Sequence, residues 1–145
     1  MNVLKAMNQG YILLSNAGIE VPRLEAGMLL GKVLGIKPTE IYLDRERKIS
    51  PREKLEFINV IEERIKGKPI HYLIGYREFM SLDFKVDRGV LIPRPDTEIL
   101  VEHIIDYSKD AKNQSLKILE IGTGSGAIAV SLAKYLKSSR IWAGD

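Results

Sequence analysis

The chain lacks cysteine, which excludes disulfide bonds and thiolate metal sites from its 145 residues. It also lacks any run of about eighteen apolar residues, as a membrane-spanning helix would need. Its first residues lack the compact apolar region and small-residue cleavage site of a secretory signal peptide, so we expect a cytoplasmic protein. The only two histidines, His71 and His103, are far apart and adjoin no candidate nucleophile or metal ligand, so we expect both to be structural.

The chain also has little net charge, since its 22 Lys and Arg are nearly balanced by 19 Asp and Glu. Apolar residues make up 45% and charged residues 28%, which is typical of a folded, soluble domain. The densest basic group, Arg45, Arg47 and Lys48, is interrupted by Asp44 and Glu46. Such a mixed run is typical of a solvated surface. We therefore expect neither a nucleic acid substrate nor a membrane partner.

Three alternate glycines form the most informative segment. Residues 116–121 are a largely apolar run that predicts a buried strand, and residues 127–136 have helical periodicity. Between them, Gly122, Gly124 and Gly126 permit torsions that other residues resist and let a ligand approach the main chain closely. The next helix adds free N–H groups and the positive end of its dipole. This turn predicts a site for a nucleotide-like cofactor.

Two cofactors match the loop. Its first two glycines and Ala127 fit the dinucleotide pattern G-x-G-x-x-G/A, and Asp145 follows at a suitable distance to bind ribose, which indicates NAD. Glu120 and Gly126 instead complete the form E-x-G-x-G-x-G, which resembles motif I of S-adenosylmethionine-dependent methyltransferases. A purely structural turn rarely needs three glycines in five residues. The loop favours a methyltransferase and leaves NAD open.

The first part of the chain has helical periodicity. The stretches with apolar residues at spacings of three and four are 4–14, 24–34 and 55–65. Gly35 is a candidate C-cap, Thr39 a candidate cap of a short helix, and Ser50 with Glu53 has capping-box spacing. We predict that residues 1–70 form a bundle of four or five helices.

From about Arg77 the apolar residues no longer recur at helical spacing but at every second position. Alternation over residues 82–86 predicts a half-buried strand, residues 87–89 a turn, and residues 90–92 a second strand. We therefore predict a β-hairpin linker within residues 71–95.

The rest of the chain alternates between helix and strand. Asp96 or Thr97 is expected to cap a helix, and strands are predicted at residues 116–121 and 140–145 on either side of the second helix. This order predicts the start of an α/β domain in residues 96–145.

Two further segments carry a family resemblance, namely residues 69–79 (PIHYLIGYREF) and residues 90–98 (VLIPRPDTE). Together with the glycine loop, they closely resemble the glutamine N5-methyltransferases of the HemK/PrmC family. That family modifies the Gly-Gly-Gln glutamine of peptide chain release factors. The resemblance extends from about residue 20 to 145 and is most specific at residues 92–98. It implies a helical substrate-recognition domain in residues 1–70, followed by the first part of a truncated Rossmann-like methyltransferase domain.

The resemblance also implies a site for S-adenosyl-L-methionine. Asp145 is expected to accept hydrogen bonds from both ribose hydroxyls. Glu120 is expected either to hold the methionine end of the cofactor or to order the loop. Phe79 and Phe84 are expected in the hairpin core. The residues implied in cofactor binding are Glu120, Gly122, Thr123, Gly124, Ser125, Gly126 and Asp145, with Pro95 and Thr97 in an adjoining wall.

Other substrates and roles stay open. A sister family that methylates a ribosomal protein tends to read Pro-Arg-Ser-Pro, so residues 95–98 favour release factors. The family's catalytic Asn-Pro-Pro-Tyr motif lies beyond the position of Asp145, and this sequence contains no Asn-Pro pair. We therefore predict a fragment with no catalytic residue that is inactive alone. A non-catalytic module, binding release factors through residues 1–70, is the alternative of a different class.

Overall fold

The computed structural model describes residues 1–110 and 115–145. They divide into two units, Met1–Ile74 and Gly75–Asp145. The first is helical, and the second combines short strands with two helices. Within the described residues, no helix has both the length and the apolar character needed to cross a membrane.

Five helices form the first unit. They are α1 (Val3–Asn16), α2 (Pro22–Leu34), α3 (Pro38–Ile41), α4 (Pro51–Ile65) and α5 (Ile70–Ile74). Gly35 ends α2 in the left-handed conformation at φ 65°, so the predicted C-cap is confirmed. The helical N-terminal region expected from the periodicity is therefore confirmed.

The predicted capping box at the start of α4 is also confirmed. The Glu53 N–H donates to the Ser50 hydroxyl at 3.2 Å, and the Ser50 N–H donates to the Glu53 carboxylate at 2.6 Å. Hydrogen bonds to the Glu53 carboxylate from the Ser50 side chain and from the Ser50 N–H lower the pKa of that carboxyl below its usual value. The cap therefore favours ionised Glu53, whose negative charge also suits a helix N-terminus.

The cap predicted at Thr39 is wrong. Helix α3 begins at Pro38, so Thr39 already lies inside its first turn. Proline is well suited to the first helical position because its fixed φ is helical and its missing N–H is not needed there. Lys37 precedes the helix, and its N–H donates to the Glu40 carboxylate at 2.8 Å.

The core of the first unit contains Leu14, Leu29, Phe57 and other apolar side chains of α1, α2 and α4. Phe57 and Ile61 of α4 are fully buried, whereas Leu55 is 63% exposed. Leu55 lies two residues from Phe57, so it lies on nearly the opposite side of the helix. Periodicity thus identified the helices, but it assigned some exposed leucines to their buried faces.

A charge pair joins α2 to α4 inside this unit. The Arg64 Nε donates to Glu25 Oε2 at 2.6 Å, and the Arg64 Nη2 donates to Glu25 Oε1 at 3.1 Å. Glu25 is only 6% exposed. A bidentate pair of this kind satisfies a carboxylate that would otherwise be buried without a partner.

The mixed basic run is largely solvated, as predicted. Arg45 and Lys48 are exposed, as are the acidic residues Asp44 and Glu46. Arg47 is half-buried, and its guanidinium lies 4.0 Å from the Glu53 carboxylate. The backbone of this segment accepts hydrogen bonds from the first residues of α1.

The second unit contains a hairpin and a parallel strand pair. Its elements are β1 (Tyr76–Phe79), β2 (Leu82–Lys85), α6 (Asp96–Asp110), β3 (Lys117–Ile121), α7 (Ala127–Tyr135) and β4 (Arg140–Gly144). Strands β1 and β2 are antiparallel, and Phe79 lies opposite Leu82. Strands β3 and β4 are parallel, with Lys117 opposite Arg140 and Ile121 opposite Gly144. The expected α/β order is present, since α7 connects the two parallel strands.

The strand pairing predicted for residues 90–92 is wrong. Residues 82–85 pair with residues 76–79 instead, across a two-residue turn at Met80 and Ser81. Both turn residues have positive φ, 50° and 57°, as a tight hairpin that matches strand twist requires. Neither is glycine or asparagine, so the sequence contained no turn signal at this point.

Contacts from two helices hold this unusual turn. The Met80 N–H donates to Glu98 Oε1 at 2.7 Å, and the Tyr135 hydroxyl donates to the Met80 carbonyl at 2.8 Å. Glu98 belongs to the first turn of α6. Asp96 and Thr97, expected as caps of α6, also lie inside that turn rather than before it.

Phe79 and Phe84 lie in the core of the second unit, as predicted. Their rings meet edge to face with centroids 6.1 Å apart. Val101 of α6 and Leu132 of α7 are fully buried in the same cluster. Both helices therefore contribute to this core.

Gly10 provides a test of the close packing in the first unit. A Cβ at Gly10 would lie 2.7 Å from Phe57 Cζ and 3.2 Å from Ala26 Cβ, and both neighbours are fully buried. We expect Gly10→Ala to lower the free energy of unfolding by about 1 kcal/mol, because overpacking outweighs the gain in helix propensity. Chemical denaturation of the full-length protein measures the change.

The matched control is Gly27→Ala. A Cβ there would lie 3.3 Å from the hydroxyl of Tyr42, a side chain at the surface that can move. This variant should be as stable as wild type or more so. Equal or greater stability of Gly10→Ala relative to Gly27→Ala would contradict the packing described for Gly10.

Candidate functional site

All three glycines between β3 and α7 have left-handed backbone torsions. The φ angles are 79° at Gly122, 52° at Gly124 and 76° at Gly126. Side chains with a Cβ are strained in this region, which explains why glycine occupies each position. A Cβ at Gly122 or Gly124 would meet no atom within 4 Å. The turn therefore exposes its main chain to open space.

Hydrogen bonds to the end of β4 hold this turn in place. The N–H groups of Gly122 and Thr123 both donate to the Gly144 carbonyl, at 2.8 and 3.3 Å. Gly126 donates in turn to the Thr123 carbonyl at 2.8 Å. The loop is therefore a compact turn anchored to the parallel strand pair.

Glu120 orders the junction between β3 and α7. Its Oε2 accepts the N–H of Ala129, in the first turn of α7, at 3.0 Å. Gly126 occupies the N-cap position of α7 and has no side chain that could cap it. The Glu120 carboxylate therefore supplies the cap from the preceding strand, where its charge also suits the helix dipole.

Asp145 reaches the same turn from the end of β4. Its Oδ1 accepts the Gly124 N–H at 3.2 Å. The carboxylate expected to bind ribose thus lies directly beside the central glycine. A carboxylate has acceptor positions beyond the one used here.

A pocket of about 190 Å³ opens over the turn. Six of the expected site residues line it, namely Thr97, Glu120, Gly122, Thr123, Gly124 and Ser125. Pro95, Gly126 and Asp145 are not among the lining residues. The structure thus brings most of the expected residues to one pocket and places the other three outside its lining.

Several pocket residues were not individually expected. They are Phe79, Leu91, Ile92, Pro93, Arg94, Ala127 and Ile128. Leu91 and Ile92 had been predicted to form a strand, and that prediction did not indicate that they would line a pocket. Pro93 and Arg94 belong to the distinctive heptad at 92–98, which was the available signal. This segment gives the pocket an apolar side.

The polar groups of the pocket are not all satisfied within the protein. Thr123 Oγ1 is buried and has no hydrogen-bond partner in the part of the chain that the structure describes. The start of α7 adds main-chain N–H groups besides that of Ala129, which Glu120 accepts. Polar donors beside an apolar wall suit a ligand with both a ring system and charged ends.

The pocket has no metal-site character. Residues 1–110 and 115–145 contain no group of three or more His, Asp or Glu side chains able to hold a metal ion. His71 lies on α5 and His103 on α6.

The comparisons with known proteins agree with the resemblance in the sequence. Residues 5–75 match the PrmC N-terminal domain. A release factor glutamine methyltransferase of Moorella thermoacetica is 41% identical over 145 residues, covering all of this chain and 50% of that protein. The protein of the same name from Chlorobaculum tepidum is 37% identical over 147 residues, which cover 99% of this chain and 50% of that protein.

A third relative of that name, from Clostridium acetobutylicum, is 39% identical over 147 residues and is again covered over 50% of its length. The chain therefore spans about half the length of these curated relatives. The resemblance predicted from the two segments and the glycine loop is confirmed. The chain therefore contains a PrmC N-terminal domain, and over its whole length it is similar to about half of proteins named release factor glutamine methyltransferase.

Proposed function

We propose that the full-length protein is a release factor glutamine methyltransferase. It would transfer a methyl group from S-adenosyl-L-methionine to the side-chain amide nitrogen of the Gly-Gly-Gln glutamine of peptide chain release factors. The observation that carries this proposal is the turn of three left-handed glycines over an open, partly polar pocket. The shared name of the relatives supports the same activity.

The proposal assigns different roles to the two units. The parallel pair β3–β4, connected by α7, supports the second unit as the start of a Rossmann-like methyltransferase domain. The match of residues 5–75 to the PrmC N-terminal domain supports substrate recognition by the helical unit. We keep the predicted division, with a helical domain at 1–70, a hairpin linker at 71–95 and the methyltransferase part from 96.

The residues of the pocket fit the proposed cofactor. The first N–H groups of α7, apart from that of Ala129, would be donors to the ligand, as would the Thr123 hydroxyl, which has no partner among the described residues. Asp145 would accept hydrogen bonds from the ribose hydroxyls, and Glu120 would keep the turn and α7 in place beneath the ligand. Pro95 and Thr97 would belong to an adjoining wall. The NAD alternative has support only from the loop pattern.

The bound cofactor would supply a methyl group on a positively charged sulfur. This chain's residues would bind and orient that group, which raises the rate by lowering the entropic cost of alignment. The chain contains no Asn-Pro pair, so we assign no catalytic residue within it. Methylation of a ribosomal-protein glutamine, or a purely binding role for the helical unit, would be the alternatives.

We expect the full-length protein to methylate release factors. The protein is incubated with labelled S-adenosylmethionine in three separate reactions, which contain release factors, ribosomal proteins or ribosomal RNA. Label should appear on the release factor, and it should vanish when the Gln of Gly-Gly-Gln is replaced by Ala. Label on a ribosomal protein or on RNA, with none on the release factor, would refute the proposed substrate.

We expect Gly124→Val to weaken cofactor binding at least tenfold, or roughly 1.4 kcal/mol. A β-branched side chain would enter the open space over the turn and would disfavour the φ of 52°. Calorimetric titration of the full-length variant with S-adenosylhomocysteine measures the affinity, and circular dichroism checks the fold.

Gly18→Val provides the matched control. Gly18 also has positive φ, 75°, and open space where a Cβ would lie, but it belongs to the helical unit. It should therefore incur similar backbone strain without losing cofactor affinity. Wild-type affinity in a folded Gly124→Val protein would place the cofactor elsewhere.

A further inference from the structure

Arg94 is the basic residue of the pocket that contains Glu120 and the glycine turn. No other Lys or Arg occurs among the described residues that line this pocket. The pocket thus has one cationic and one anionic side chain. This combination suits a zwitterion, in which an ammonium and a carboxylate are joined to one carbon.

The backbone around Arg94 is constrained. Prolines on both sides have fixed φ angles, and the residue before a proline is restricted to extended torsions. The Arg94 carbonyl also accepts the Thr97 N–H at 3.0 Å, which joins the segment to the first turn of α6. Pro93 is buried. The Arg94 side chain therefore extends from a well-defined position.

The Arg94 guanidinium is not engaged within the described part of the chain, where it forms no hydrogen bond or ion pair. Glu98, the second of the two acidic residues that follow in the same heptad, uses Oε1 to accept the Met80 N–H. Arg94 is exposed rather than packed in the core. Its guanidinium thus remains available to a ligand in the pocket, with five N–H donors arranged to match a carboxylate.

We propose that Arg94 binds the carboxylate of the amino-acid end of the cofactor, and so distinguishes S-adenosyl ligands that carry this carboxylate from those that lack it. The assignment rests on the proposed cofactor. It deepens that proposal because it names the group of the ligand that the heptad recognises. Arg94 acts here in binding specificity and takes no part in methyl transfer.

The test combines a change in the protein with a change in the ligand. Full-length wild type and Arg94→Met are titrated by calorimetry with S-adenosylmethionine and with decarboxylated S-adenosylmethionine, which keeps the sulfonium and the amine. We expect Arg94→Met to bind S-adenosylmethionine about tenfold more weakly, with little change for the decarboxylated ligand. Arg94→Lys keeps the charge without the planar fork and should recover part of the affinity.

Arg88→Met is the matched control, since Arg88 is exposed in the same unit and does not line the pocket. It removes the same charge and should leave both affinities unchanged. Equal weakening of both ligands in Arg94→Met, or no weakening of either, would overturn the role of Arg94 while leaving the proposed cofactor in place. Failure of wild type to bind S-adenosylmethionine would overturn the proposed cofactor and, with it, this assignment.

Discussion

The hydrogen bond between the Glu120 carboxylate and the Ala129 N–H is the interaction on which the candidate site depends. It connects the end of β3 to the first turn of α7 across the glycine turn. A turn of three left-handed glycines is intrinsically costly, because glycine loses more conformational freedom on folding than other residues. Such a turn also cannot cap the helix that follows it. Glu120 offsets part of this cost and satisfies a helix N–H.

The other end of the turn is held in a similar way. Gly144 accepts two N–H groups of the turn, and Asp145 accepts a third. The main chain is therefore held from two strands and one helix while the space above Gly122 and Gly124 remains open. An ordered backbone beside open space is the arrangement that allows a ligand to bind without reorganising the loop.

Local patterns in the sequence predicted much of this arrangement. The strand before the glycines, the helix after them and the parallel strand at Arg140–Gly144 each depend on periodicity within one element. The first of these strands is not buried as expected, however, since Leu119 is 69% and Ile121 84% exposed. The need for glycine at Gly122, Gly124 and Gly126 follows from the shape of the turn, and the φ angles agree.

Features that depend on distant contacts could not be predicted in the same way. The hairpin turn at Met80 has no local signal and is held by Glu98 and Tyr135, which follow much later in the chain. Likewise, periodicity within one element could not show that Leu91 and Arg94 would line the same pocket as the glycine turn, which lies far along the chain from both. These outcomes depend on tertiary packing, which overrides local preference.

Residue-resolved NMR of the full-length protein, titrated with S-adenosylhomocysteine and separately with NAD, tests the central claim most directly. The account predicts that S-adenosylhomocysteine shifts the backbone amide signals of residues 120–128 and 91–97 more than those of α1, α2 and α4, and that NAD leaves them unchanged. Unchanged signals at residues 120–128 with the cofactor bound, or equal changes with NAD, would contradict it.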